Sequence, residues 1–205
     1  RPGRLADSVP RPTTTKWCTA HAGREPARRQ CCVGSTLSAM PAPTAVAVRR
    51  AELADIDPRT LYLLAKLRQD VFTLEQRATD PDLDGRDLDP TTTLMWLELP
   101  GAEAASLGVP GLPVAHLRVL AEDDGAVRIG RVAVDGAHRR GGYGRRLMGE
   151  ALTHARENAP GAEVRIDAQA HLEQWYASMG FETVGGLFME AGIEHVAMVL
   201  RPGRG

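Results

Sequence analysis

Eight consecutive residues constrain this chain more than any others. Arg139-Arg140-Gly141-Gly142-Tyr143-Gly144-Arg145-Arg146 holds three glycines and four arginines between an apolar-rich run, 127–134, and a segment of helical period. Leu147, Met148, Ala151, Leu152 and Ala155 recur at steps of three and four, which predicts an amphipathic helix over 143–158, stopped by Ala159-Pro160-Gly161. Val164, Ile166 and Ala168 then alternate with Glu163, Arg165 and Asp167, the period of a strand. Strand, glycine loop, helix and strand make a βαβ unit, whose strands lie parallel through a right-handed crossover. The chain is therefore expected to be an α/β protein.

Upstream, 46–49 is a candidate first strand. Asp57-Pro58 opens a helix with a carboxylate cap and a first-turn proline, and Leu61, Leu64, Ala65, Arg68, Val71 and Phe72 carry it over 58–72. The Asp-, Gly- and Pro-rich 80–90 reads as a loop, 92–99 and 113–120 as strands joined by a long hairpin loop, 100–111, and 127–134 as the next strand. Downstream, Leu172, Trp175, Tyr176 and Met179 share one face of a short helix that ends at Gly180, and 195–200 is a last strand. The sheet is expected to be antiparallel early and partly parallel later.

Composition narrows the function classes. Residues 1–39 hold seven Lys/Arg against two acids, a balance of +5, so the rest of a chain with net charge −1 carries −6. An acidic body argues against non-specific nucleic-acid binding. Nothing approaches the roughly 20 apolar residues of a membrane span, so neither nucleic acid nor membrane is an expected partner. Cys18, Cys31 and Cys32 all lie in the basic tail, which leaves the body without a disulfide or cysteine–metal framework and suits a cytoplasmic setting. Residues 1–44 show no period and read as a disordered basic tail: an extension with Met40 as the natural start, or a segment resembling a transit peptide. The folded domain is expected over 45–205.

A glycine-dense turn at a helix start invites an anion. The first helical N–H groups lack intrahelical acceptors, the helix dipole adds partial positive charge, and Gly141, Gly142 and Gly144 let a ligand approach the backbone. Arg139, Arg140, Arg145 and Arg146 supply full charges, so phosphate or pyrophosphate fits. The Gly-Lys-Ser/Thr ending of a P-loop is missing, and Gly142-Tyr143-Gly144-Arg145-Arg146-Leu147 breaks the dinucleotide fingerprint at its third glycine. A dinucleotide site, with Asp167 as its acidic residue, and an ordinary turn stay open as alternatives.

The same residues resemble a known family. Arg139-Arg140-Gly141-Gly142-Tyr143-Gly144 is similar to the Arg/Gln-x-x-Gly-x-Gly/Ala signature of the GNAT superfamily, and Tyr176-Ala177-Ser178-Met179-Gly180-Phe181 to its Tyr-x-x-x-Gly-Phe segment. Val132-Ala133-Val134 resembles the strand whose backbone meets the pantetheine arm. The run from Leu67-Arg68 through Val71-Phe72 to Glu75-Gln76, with Asp84-Gly85-Arg86-Asp87, Ile129-Gly130-Arg131-Val132, Ala168-Gln169-Ala170-His171-Leu172 and Glu190-Ala191-Gly192-Ile193-Glu194-His195, resembles the ElaA-like branch; Glu194 stands in a proline position and Asp167 where a small or amide residue is expected. The resemblance covers about 46–200. It implies the GNAT fold, a mixed, mostly antiparallel sheet with a central parallel βαβ unit flanked by helices.

The resemblance further implies acetyl-coenzyme A as co-substrate and transfer of its acetyl group to a small-molecule or peptide amine. Val132, Ala133, Val134, Arg139, Arg140, Gly141, Gly142, Tyr143, Gly144 and Arg145 would bind the cofactor, with the N–H of Val132 or Val134 at the thioester oxygen. Tyr176 would protonate the leaving thiolate, although its place on the apolar face also suits plain packing. Glu75 is either a base acting through water or one half of an ion pair. Arg68, Phe72, Arg118 and His171 would face the substrate; His171 also suits a cap, and His116 and Arg118 also suit a solvated strand. The acidic loop around Asp80, Asp82, Asp84, Asp87 and Asp89 lacks the closing glutamate of a calcium loop, so no metal is expected, and it would attract a cationic amine or merely be solvated. The competing functions are an acyl-homoserine-lactone-type synthase and a non-catalytic acyl-coenzyme A sensor; a homodimer and a monomer both stay open.

Overall fold

A computed structural model describes residues 46–203. The expected tail, 1–44, lies outside the described residues. The elements are β1 (Ala47–Ala51), α1 (Pro58–Arg68), β2 (Thr93–Leu99), α2 (Ala102–Leu107), β3 (Leu112–Ala121), β4 (Val127–Val134), α3 (Tyr143–Asn158), β5 (Val164–Gln169), α4 (Glu173–Ala177), β6 (Glu182–Glu190) and β7 (Ile193–Leu200). They build one seven-stranded sheet in the order β1-β2-β3-β4-β5-β7-β6. The β4–β5 pair is parallel, and the other neighbours are antiparallel. The expected mixed sheet is thus the fold observed.

Strand period decides which helix covers which face. Met95 and Leu97 of β2 join Leu117, Val119 and Ile129 in the main core, beneath Leu147, Met148, Ala151 and Leu152 of α3. Leu94 and Trp96, the alternate residues, pack with Ile56 and Leu64 on the α1 side. Burying each Leu or Met of the α3 stripe stabilises the fold by about 1.5–3 kcal/mol. Asp57 caps α1 by accepting hydrogen bonds from the N–H groups of Arg59 and Thr60, as its sequence position predicts.

Four features depart from the sequence expectation. The first helix does not end near Phe72 as an α-helix: Gln69–Glu75 continues it with π-helical geometry, and the N–H of Gln76 donates to the carbonyl of Val71. The wider turn rephases the side chains, so Val71 is buried while Phe72 and Gln76 line a cleft. The 100–111 connection contains α2, ended by Gly108 with φ of 69°. A short 3-10 turn, Arg86–Leu88, interrupts the 80–90 loop. Finally, 182–190 forms the edge strand β6, with most of its residues exposed. An edge strand with Gly185-Gly186 at its centre has no buried alternation to reveal it.

Candidate active site

The glycine loop emerges from β4 and turns directly into α3. Arg140 and Gly142 adopt left-handed conformations with φ of 65° and 78°, which fold the chain back so that the amides of the first turn end the helix openly. Gly142 is the N-cap and accepts from the N–H of Arg146, and no side chain caps the turn. A Cβ on Gly144 would stand 3.3 Å from Val134 Cγ2 and 3.6 Å from the ring of Trp175, so glycine there lets the helix start lie against β4. A Cβ on Gly142 would meet nothing within 4 Å. The uncapped amides beside open space fit an anionic phosphate group.

The loop arginines have separate tasks. Arg139 donates from Nε to the carbonyl of Val134 at 3.2 Å and from both Nη atoms to Glu75 at 2.6 and 2.7 Å. Arg145 reaches Ser178 Oγ and Arg146 the carbonyl of Val46. Arg140 makes no hydrogen bond or ion pair among the described residues, which leaves its charge available. Tyr143 opens α3 with its ring against Gly141.

The βαβ crossover also opens a cleft. β4 and β5 pair only at Val127–Val164 and Arg128–Arg165. Beyond Arg128 the β5-facing edge of β4 has no strand partner among the described residues. On its other edge, β4 is irregular: Gly130 pairs with Arg118 and Ala133 with His116, so Arg131 and Val132 together face Leu117. Arg131 sits at this bulge with φ of 54°. Its carbonyl lies 3.4 Å from His116 Nδ1, and its Nε donates to the carbonyl of Asp82. A bulge of this kind bends a strand and frees its backbone groups from the ladder. The resulting cleft, about 860 Å³, is lined by Val132, Ile166 and Gln169 of the sheet, Tyr176 of α4, and Phe72, Gln76 and residues 80–84.

Tyr176 lines this cleft although only 5% exposed. Its ring packs edge-on against Trp175 and Phe181, with centroids 4.6 and 6.0 Å away. Burial pushes its hydroxyl up to about 12, so it is a neutral donor at physiological pH. Val132 and Phe72 also line the cleft, whereas Ala133 is buried opposite His116.

Other residues are placed differently from the sequence expectation. Arg68 is 3% exposed and clasps Asp82 and Asp87, which pins the acidic loop to α1 instead of facing a substrate. Arg118 lines the cleft but is engaged by Asp84 and Asp87. Asp82 and Asp84 also hold Arg131. The loop carboxylates Asp82, Asp84 and Asp87 are therefore neutralised rather than offered to an amine, and the Arg118 guanidinium holds Asp84 well below the usual carboxylate range. Glu75 does not line the cleft; the Arg139 hydrogen bonds lower its carboxyl, which makes it an ion-pair partner and a poor base. His171 is exposed in a 3-10 turn and lies outside the cleft lining. His116 is a fully buried neutral ring, driven down to about 3 by desolvation. Asp167 lines the cleft and pairs with Arg128.

Gln76, Gln169, Glu190 and His195 line the cleft without having been singled out as site residues. Gln169 donates to Gln76, and the N–H of Thr79 donates to the carbonyl of Ala191. The first contact ties the end of β5, and the second the β6–β7 turn, to the segment that follows the π-helical turn. All four residues lie in segments quoted for the resemblance, but only the sheet order brings them together. Among the described residues no group of three or more His, Cys, Asp or Glu could hold a metal, and no helix is long and apolar enough to cross a membrane.

A helix start with open amides, at the end of a bulged strand that splays from its parallel neighbour, defines the GNAT class of acyltransferase. Residues 111–202 match the acetyltransferase (GNAT) domain model. A UPF0039 protein of Mycobacterium tuberculosis is 41% identical over 162 residues, 78% of this chain and 95% of the relative. ElaA of Escherichia coli is 36% identical over 151 residues, 71% and 90% of the two chains. The crystal structure of E. coli ElaA aligns with a TM-score of 0.67 at 30% identity, covering 77% of this chain and all of that one. An acyl-CoA N-acyltransferase from Pseudomonas aeruginosa aligns equally well, with a TM-score of 0.67 at 32% identity over 76% and 99%. The chain belongs to the ElaA-like branch of the GNAT acyltransferases, alongside the UPF0039 proteins.

Proposed function

We propose that this protein transfers the acetyl group of acetyl-coenzyme A directly to an amine, and that it does so in the cytoplasm. One observation carries the reading: the open amides of α3 follow the strand whose unpaired edge borders the cleft that Tyr176 lines. The amides of 141–145 and the charge of Arg140 would hold the pyrophosphate. The free edge of β4 at Val132–Val134 would pair with the extended pantetheine arm, and a backbone N–H of Val132 or Val134 would meet the thioester oxygen. Bound there, the thioester supplies an activated acyl carbon and a thiolate leaving group. The amine attacks that carbon, the C–N bond forms and the C–S bond breaks. Tyr176, neutral and buried at the cleft wall, gives its proton to the departing sulfur.

A thiol-release screen with acetyl-coenzyme A against small amines, amino acids and peptides tests the reading. Release with at least one amine supports it. Tight coenzyme A binding with no release from any amine would establish a sensor instead. Turnover with an acylated carrier protein and S-adenosylmethionine, and none with acetyl-coenzyme A, would establish a synthase.

A further inference from the structure

We propose that His195 is the catalytic base of this site, with Nε2 taking the proton of the attacking amine. The inference rests on the acetyl-transfer reading above and names the residue that completes it.

His195 lies on β7, between Gln169 of β5 and Phe188 of β6. It is 8% exposed, and it lines the cleft together with Tyr176. Its Nδ1 stands 2.9 Å from the carbonyl oxygen of Ile193. A carbonyl can only accept, so Nδ1 carries the hydrogen, and the neutral ring keeps its lone pair on Nε2. No group among the described residues hydrogen-bonds that atom. A buried ring with its tautomer set by the backbone and a free acceptor at a cleft wall suits an N–H donor.

The other described histidines are placed otherwise. His116 is sealed beneath the bulge, His138 is bound to Asp135, His154 is bound to Asn158 on α3, and His171 is exposed outside the lining. Charge in the cleft favours the same assignment. Its arginines Arg86, Arg118, Arg128 and Arg131 are paired with Asp82, Asp84, Glu122 and Asp167. Asp80 and Glu190 also line it and form no ion pair among the described residues. They lie on the two segments joined by the Thr79–Ala191 hydrogen bond and would draw in a cationic amine. Apart from the arginines and the carboxylates paired with them, Asp80, Tyr176 and Glu190 are the titratable groups that share the cleft lining with His195 among the described residues, and Glu194 adjoins it along β7.

The proton balance closes. The cationic amine first gives one proton to water, which frees its lone pair; a second amine hydrogen then passes to Nε2 as the C–N bond forms, and the sulfur takes the Tyr176 proton as the C–S bond breaks. Transfer from imidazolium to tyrosinate through water restores both side chains.

The test compares wild type with His195→Gln and His195→Ala, using the amine found in the thiol-release screen. Expected is a fall in kcat of about 100-fold or more for both variants. Calorimetric affinity for coenzyme A should stay within about twofold, and added imidazole should restore turnover to His195→Ala. Turnover of His195→Gln within about threefold of wild type would overturn the proposal. So would a loss without imidazole rescue, or one accompanied by lost coenzyme A binding, since either marks a structural role. A wild type silent toward every amine would instead sink the acetyl-transfer reading itself.

Discussion

The proposed phosphate loop and the proposed acceptor cleft are built in opposite ways. The loop is contiguous: residues 139–146 turn and leave the start of α3 uncapped, and the groups proposed to bind there are main-chain amides. The cleft is assembled from the π-helical turn, the acidic loop, β4, β5, α4 and the β6–β7 hairpin, and its chemistry is in side chains. A backbone site tolerates change in side chains and fails when its conformation is altered. A side-chain site fails at single atoms while the fold around it stands.

The sharpest way to break that contrast is at the loop glycines. Gly142→Glu places a Cβ at φ of 78° and a carboxylate beside the expected pyrophosphate. Coenzyme A affinity should fall on the order of 100-fold or more, because charge-assisted bonds are lost and like charges meet. Gly144→Glu should do the same and also lower the melting temperature, since its Cβ crowds Val134 and Trp175. Calorimetry and thermal melts check both; unchanged affinity in Gly142→Glu would remove the loop from the site.

Next in size is Tyr176→Phe. It keeps the packing against Trp175 and Phe181 and deletes only the hydroxyl. Turnover should drop about 10- to 100-fold with coenzyme A affinity unchanged. Equal turnover in the thiol-release assay would reduce Tyr176 to a wall of the core.

The Glu75–Arg139 pair straddles the two regions and should matter least to chemistry. Both side chains are about half exposed, and exposed pairs contribute about 0–1 kcal/mol. Glu75→Gln should change turnover by less than about fivefold. A loss of two orders of magnitude would return Glu75 to the role of base.

A last prediction concerns stability beneath the bulge. Desolvation lowers His116 from 6.5 to about 3, so the unfolded chain binds its proton first as pH falls. This histidine therefore costs stability progressively between pH 6.5 and 3, with a slope of up to about 1.4 kcal/mol per pH unit. His116→Gln should flatten that part of the unfolding profile measured with urea. An unchanged slope would show that the ring is not a buried neutral group.

The two regions also differ in how legible they were. The 127–134 strand and the 143–158 helix are observed with the expected bounds, because their apolar periods bury against one core. Arg68 resembled a substrate contact because its partners, Asp82 and Asp87, are 14 and 19 residues away. Glu75 read equally as base or ion pair until Arg139, 64 residues on, was brought beside it. His195 closes a segment that resembles the ElaA-like branch, but the role proposed for it depends on which groups do not reach Nε2, and nothing along the chain shows that.

By itself, the sequence determined whatever depends on neighbours along the chain: periodicity, the Asp57 cap, and the glycine turn with its open helix start. Local sterics and backbone hydrogen bonding decide these within a few residues. Only the tertiary structure decided which charges cancel and which remain. Ion pairing and desolvation depend on distance through space, and the sheet order that sets those distances is a property of the whole domain.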